Sequence, residues 1–86
     1  MVEIVIYSRP GCHLCDEARL VIDEAIHDHD LAAVVREVNI DDDPELQARY
    51  TWDVPVIFVA GRKAFKYRVE PKDLVARVER AMRSST

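Results

Sequence analysis

The feature that most constrains this chain is a short run, Val2 to Tyr7 (VEIVIY), that breaks at Ser8-Arg9-Pro10-Gly11 and leads at once into Cys12-His13-Leu14-Cys15. β-Branched and aromatic residues with a single charge suit a central strand buried on both faces. Pro10 and Gly11 punctuate a turn. A helix begins near Cys12 or His13, because Leu14, Ala18, Val21, Ile22, Ala25 and Ile26 recur at three- and four-residue spacing as one apolar stripe. Asp16, Glu17, Asp23 and Glu24 lie mostly off that stripe, and His27-Asp28-His29-Asp30 ends the helix. Two cysteines three residues apart at the mouth of such a helix share one face, so a disulfide closes with little backbone movement.

The remaining chain continues the alternation. Val34 to Ile40 (VVREVNI) reads as a second strand, Asp41 to Asp43 as a turn, and Pro44 as the first position of a short helix through about Tyr50. A Thr51-Trp52-Asp53 corner leads to a third strand, Val54 to Ala60 (VPVIFVA). Gly61 and Arg62 turn the chain, and Ala64 to Val69 (AFKYRV) alternates as an edge strand. Glu70-Pro71 starts a last helix with Leu74, Val75, Val78, Ala81 and Met82 on its buried face. The order β-α-β-α-β-β-α predicts an α/β fold: one domain over residues 1–86, a four-stranded mixed sheet in a three-layer sandwich. The first two strands should be parallel through a right-handed crossover and the last two a hairpin.

Composition removes several function classes. A net charge of −4 argues against binding a nucleic-acid backbone. No stretch approaches the roughly 20 apolar residues of a membrane span. The N-terminal run lacks a basic leader and reads as a strand, not a signal peptide. Only two cysteines, three residues apart, do not make a secreted disulfide scaffold, so a reducing compartment, most simply the cytoplasm, is expected.

In this strand–turn–helix context the Cys-x-x-Cys pair reads as redox chemistry. Unpaired N–H groups and the macrodipole at a helix N-terminus stabilise a thiolate. Cys12, beside the loop, should be the more exposed and more acidic thiol, hence the attacking one. Cys15, a turn deeper, should resolve the mixed disulfide. No metal or organic cofactor is required, but an external reductant must reset the pair. The competing reading is a metal site. A structural zinc wants four ligands and one Cys-x-x-Cys supplies two. His27 and His29 lie about three turns along the same helix and do not reach. A dimer pooling cysteines around a metal or iron–sulfur centre stays open as a non-enzymatic alternative, as does an adaptor docking partners through the Pro55 face.

Other residues carry paired readings. Pro55 either starts its strand or is a cis proline facing the dithiol that leaves the Val54 backbone open to an extended substrate. Arg9, three residues before Cys12, either stabilises the thiolate and a substrate carboxylate or is a solvated loop arginine. His13 either lowers the Cys12 pKa as imidazolium, tuning the potential, or adds bulk alone. Trp52 and Tyr50 are expected to cap a core, although the 50–54 corner could line a groove beside the dithiol. The acidic run Asp41 to Glu45 reads as a solvated turn and helix start.

The stretch YSRPGCHLC (Tyr7 to Cys15), the Val54-Pro55 pair before VIFVA and the closing helix resemble the glutaredoxin branch of the thioredoxin superfamily, over nearly the whole chain. More narrowly, the YSRPGCHLCDEA start and the VPV strand resemble a glutaredoxin-like bacterial family. The resemblance implies a thioredoxin-like fold and an enzyme of redox homeostasis and electron transport, a monomer that reduces protein or small-molecule disulfides. It implies Cys12 as nucleophile, Cys15 as resolving thiol, and Arg9, Val54 and Pro55 as substrate-binding residues, with a cis Pro55. Glutathione or a flavoenzyme reductase would be the electron donor. There are departures. His13-Leu14 replace the usual Pro-Tyr, Asp53 replaces threonine, and Phe65 to Glu70 lack the Gly-Gly that receives the γ-glutamyl end of glutathione. The glutathione-receiving turn is therefore outside the resemblance, and thioredoxin's Trp before the first cysteine and Gly-Pro between the two are absent as well.

Overall fold

In the computed structural model, which describes residues 1–84, β1 (Val2–Ser8) is bonded along both edges. On one side it runs parallel to β2 (Ala33–Asn39), in register from Val2 opposite Ala33 to Ser8 opposite Asn39. On the other it pairs antiparallel with β3 (Val56–Val59), from Ile4 opposite Val59 to Tyr7 opposite Val56. An antiparallel hairpin adds β4 (Arg62–Lys66), giving the order β2-β1-β3-β4. The parallel pair needs a crossover, and α1 (His13–Asp28) supplies it. A 3-10 turn (Ile40–Asp42) leads to α2 (Pro44–Tyr50), and α3 (Pro71–Ser84) closes the chain. Element order and mixed sheet agree with the sequence pattern.

The side-chain alternation of β1 builds the layers. Ile4 and Ile6, both fully buried, face α1 and α3, where they pack with Ile22, Ile57, Leu74 and Val78. Tyr7 points to the opposite face, into a smaller cluster of Ile40, Tyr50, Val56 and Phe58 beneath α2. There Tyr7 stacks on Tyr50 with ring centroids 5.0 Å apart and meets Phe58 edge-on at 5.5 Å.

Several boundaries differ from the sequence pattern for local reasons. β2 spans 33–39, because Ile40 turns into the 3-10 segment, where the Asn39 side chain accepts the Asp41 N–H at 2.9 Å. Asp41 to Asp43 are thus a helical turn and a cap: Asp43 accepts the Glu45 N–H at 2.9 Å and Pro44 takes the first position of α2. β3 begins only at Val56, after Pro55, which has no N–H to give a ladder. The hairpin closes in two residues, Ala60 (φ 51°) and Gly61 (φ 80°), the positive-φ pattern that matches strand twist. β4 therefore starts two residues before Ala64 and stops at Lys66, where Tyr67 leaves the sheet at φ 71°. Ala64 is the extra residue of a bulge, since Ile57 opposes Phe65 while Phe58 opposes Lys63. On α3, Leu74 and Val78 are buried as expected, but Met82 is exposed, lining open clefts beside Met1 and Leu31.

Leu74 is the largest α3 side chain in the core and is fully buried. Leu74→Ala is expected to lower the unfolding free energy by about 2–5 kcal/mol in a urea titration, from lost burial plus a residual cavity.

Candidate functional site

The site is built where β1 ends. Gly11 turns the loop at φ 78°, a conformation that strains any residue with a side chain, and the Cys12 N–H closes the turn on the Arg9 carbonyl at 3.3 Å. Cys12 is extended (φ −86°, ψ 105°) and is the N-cap of α1. Its sulfur accepts the Cys15 N–H at 3.1 Å and its carbonyl accepts the Asp16 N–H at 3.2 Å. The two cysteines form a disulfide with Cα atoms 5.2 Å apart. Cys15 is 1% exposed, whereas Cys12 is half-buried. The Cys12 sulfur thus lies at the N-terminal, positive end of a sixteen-residue helix.

Three segments meet at this end of the sheet. The register of Tyr7 with Val56 sets Pro55 beside Ser8, at the head of the cysteine loop, and the Val54–Pro55 peptide bond is cis. Pro55 is buried, and none of the described residues hydrogen-bonds the Val54 backbone. Arg9 braces the loop: its guanidinium is 2.7 Å from Asp41 Oδ1 and donates to the Thr51 carbonyl at 3.2 Å. Asp41 is therefore the partner of a loop residue, where the sequence pattern suggested a solvated acidic run. His13 is 86% exposed and lies 3.2 Å from Glu17 one helical turn on.

A second polar link fixes the base of the loop. The buried Ser8 hydroxyl donates to Glu37 at 2.7 Å, and Glu37 also holds Arg19 of α1 at 3.1 Å. Hydrogen bonding of the Arg19 Nε–H to both Asp23 carboxylate oxygens raises the Arg19 pKa above its ordinary value, with Glu37 adding to the effect. Arg19 stays cationic throughout the working pH range and joins β2 to α1.

The aromatic corner divides against expectation. Tyr50 is in the core, but Trp52 is 88% exposed. Past β4, Tyr67 reaches this corner. Its hydroxyl lies 3.1 Å from the Trp52 carbonyl and 3.3 Å from Asp53, which also meets Lys66 at 3.6 Å. The sequence pattern placed Tyr67 in an edge strand; the signal for its role was the absent Gly-Gly, since a residue with a side chain fills a glycine-type turn. His27 and His29 stand at the far end of α1, His27 about 18 Å from Cys15 along the axis. Among the described residues no group of three or more His, Cys, Asp and Glu could hold a metal ion, and no helix is long and apolar enough to cross a membrane.

A four-stranded mixed sheet between helices, with a Cys-x-x-Cys disulfide at a helix N-terminus, is the fold and dithiol of the thioredoxin-like thiol–disulfide oxidoreductases. Within that class, the model of the glutaredoxin-like domain family (DUF836) matches residues 3–79, and this chain belongs to that family. Among solved structures, the X-ray structure of Northeast Structural Genomics target protein XcR50 from X. campestris is 31% identical, with a TM-score of 0.72 over 90% of this chain and 96% of that one. The solution structure of protein Ne2328 from Nitrosomonas europaea is 26% identical, with a TM-score of 0.67 over 87% and 88%. The oxidised form of mitochondrial thioredoxin 3 from Saccharomyces cerevisiae shares the fold, with a TM-score of 0.66 and 12% identity over 92% and 77%. No curated protein matches the sequence.

With its ring 88% in solvent, Trp52 contributes little to packing. Trp52→Ala should change stability by no more than about 0.5 kcal/mol in chemical denaturation; a loss of several times that would mean the ring covers a core in solution.

Proposed function

We propose that the protein is a dithiol–disulfide oxidoreductase that reduces protein or small-molecule disulfides through a mixed disulfide on Cys12. The observation that carries this reading is the unequal setting of the two sulfurs. Cys12 caps the helix, takes an N–H bond from Cys15 and reaches solvent, while Cys15 is buried. Fixed N–H groups and the helix dipole favour the charged form of the outer sulfur, which is the reactive one.

The cycle follows from those positions. The Cys12 thiolate attacks one sulfur of a substrate disulfide; a Cys12–substrate disulfide forms and the other substrate sulfur leaves as thiolate. Cys15, deprotonated, attacks the Cys12 sulfur, the substrate leaves with the electron pair, and the Cys12–Cys15 disulfide remains. Two electrons have passed to substrate, and an external reductant, glutathione or a flavoenzyme reductase, returns them. The unpartnered Val54 backbone beside the cis Pro55 receives an extended substrate segment. Arg9, braced by Asp41 and Thr51, holds the loop and presents the rest of its guanidinium to a substrate carboxylate. His13 acts on the reduction potential from the solvent side. A cytoplasmic, monomeric protein acting in redox homeostasis fits this chemistry.

Redox equilibration in a series of glutathione buffers, acid-quenched, alkylated and read by mass, tests the proposal. Cys12 and Cys15 are expected to interconvert reversibly between dithiol and intramolecular disulfide; two thiols that remain reduced or metal-masked throughout would refute it. Cys12→Ser should abolish turnover of a disulfide substrate, and Cys15→Ser should take the first step and accumulate the mixed disulfide. Full activity in Cys12→Ser would overturn the assignment of the nucleophile.

A further inference from the structure

Tyr67 stands just past β4 with φ 71°, in the left-handed region that a bulky side chain rarely occupies. Holding it there costs energy that its contacts must offset. Those contacts all lead to one place. The Tyr67 N–H donates to the Pro55 carbonyl at 2.9 Å. Its hydroxyl bridges the Trp52 carbonyl and the Asp53 carboxylate at 3.1 and 3.3 Å. Lys66 completes the cluster, 3.6 Å from Asp53 and 5.1 Å from the Tyr67 ring centroid. Tyr67 thus binds Trp52, Asp53 and Pro55, and the residue it passes over, Val54, is the one whose backbone lacks a partner among the described residues.

We propose that Tyr67 is a positioning residue: it fixes the Val54 edge so that the main chain of a protein substrate pairs there, which selects disulfides in extended peptide segments over small-molecule disulfides. The proposal rests on the oxidoreductase reading above. An incoming backbone gains affinity from main-chain hydrogen bonds, and a pre-ordered edge lowers the cost of forming them. A disulfide without a peptide backbone, such as hydroxyethyl disulfide, makes no such bonds and is indifferent to the order of the corner.

The test compares wild type, Tyr67→Phe and Tyr67→Gly, each prereduced and mixed with a disulfide-bonded peptide or with hydroxyethyl disulfide. The second-order rate constant of Cys12 oxidation is followed by quenching and mass. Tyr67→Phe removes one oxygen from a 40% exposed side chain, so the fold is retained. It is expected to slow the peptide reaction about five-fold, the effect of one or two lost hydrogen bonds, and to leave hydroxyethyl disulfide unchanged. Tyr67→Gly should show the same split without a lower thermal midpoint, because glycine accepts the positive φ. Parallel slowing with both disulfides, or slowing with neither, would overturn the positioning role. A wild-type protein that reacts with neither disulfide would instead refute the oxidoreductase reading and, with it, this proposal.

Discussion

The architecture depends on β1 being hydrogen-bonded along both edges and covered on both faces. A strand so confined cannot slip in register without moving its apolar residues out of the core. Its end at Ser8 is therefore fixed, and with it the ends of its neighbours: Asn39 on one side and the Pro55–Val56 junction on the other. The segments that leave these ends are the cysteine loop, the 3-10 turn and the 51–55 corner, and Arg9 ties the three together through Asp41 and Thr51. The dithiol needs no dedicated scaffold, because it lies where a rigid ladder runs out.

The same end of the molecule gives the two sulfurs unequal surroundings. α1 begins at the cysteine pair, so its N-terminal N–H groups lie beside Cys12, while Cys15, one turn along, is buried. Two identical side chains acquire different surroundings from a spacing of three residues. The charged groups nearby, Arg9 and His13, each meet a carboxylate, Asp41 and Glu17.

Much of this was legible in the sequence. Apolar period and turn residues found the four strands and three α-helices but not the 3-10 turn at Ile40–Asp42, and the cysteine spacing after a β-branched run located the dithiol, because burial patterns are carried by a linear sequence. What it did not carry were positions decided by backbone conformation alone. Ala60 and Tyr67 adopt positive φ without being glycine, so the ends of β4 were misplaced by two or three residues. Trp52 and Tyr50 are both expected to cap a core, yet the corner turns Trp52 outward while Tyr50, two residues earlier, fills the space against Tyr7. Asp41 looked like one of several solvated acids, since its partner Arg9 is 32 residues away and joined to it only by the fold.

The strand order also shapes how the molecule meets other chains. β2 and β4 form the outer edges of the sheet, and each offers a row of backbone groups to any passing strand. Both carry charge: Arg36 and Glu37 on one edge, Arg62, Lys63 and Lys66 on the other. A neighbouring copy laid along β4 would bring like charges together as its backbone approached. Charge thus opposes self-pairing along β4, while Val54, whose backbone has no partner among the described residues, is the place where we propose that another chain pairs.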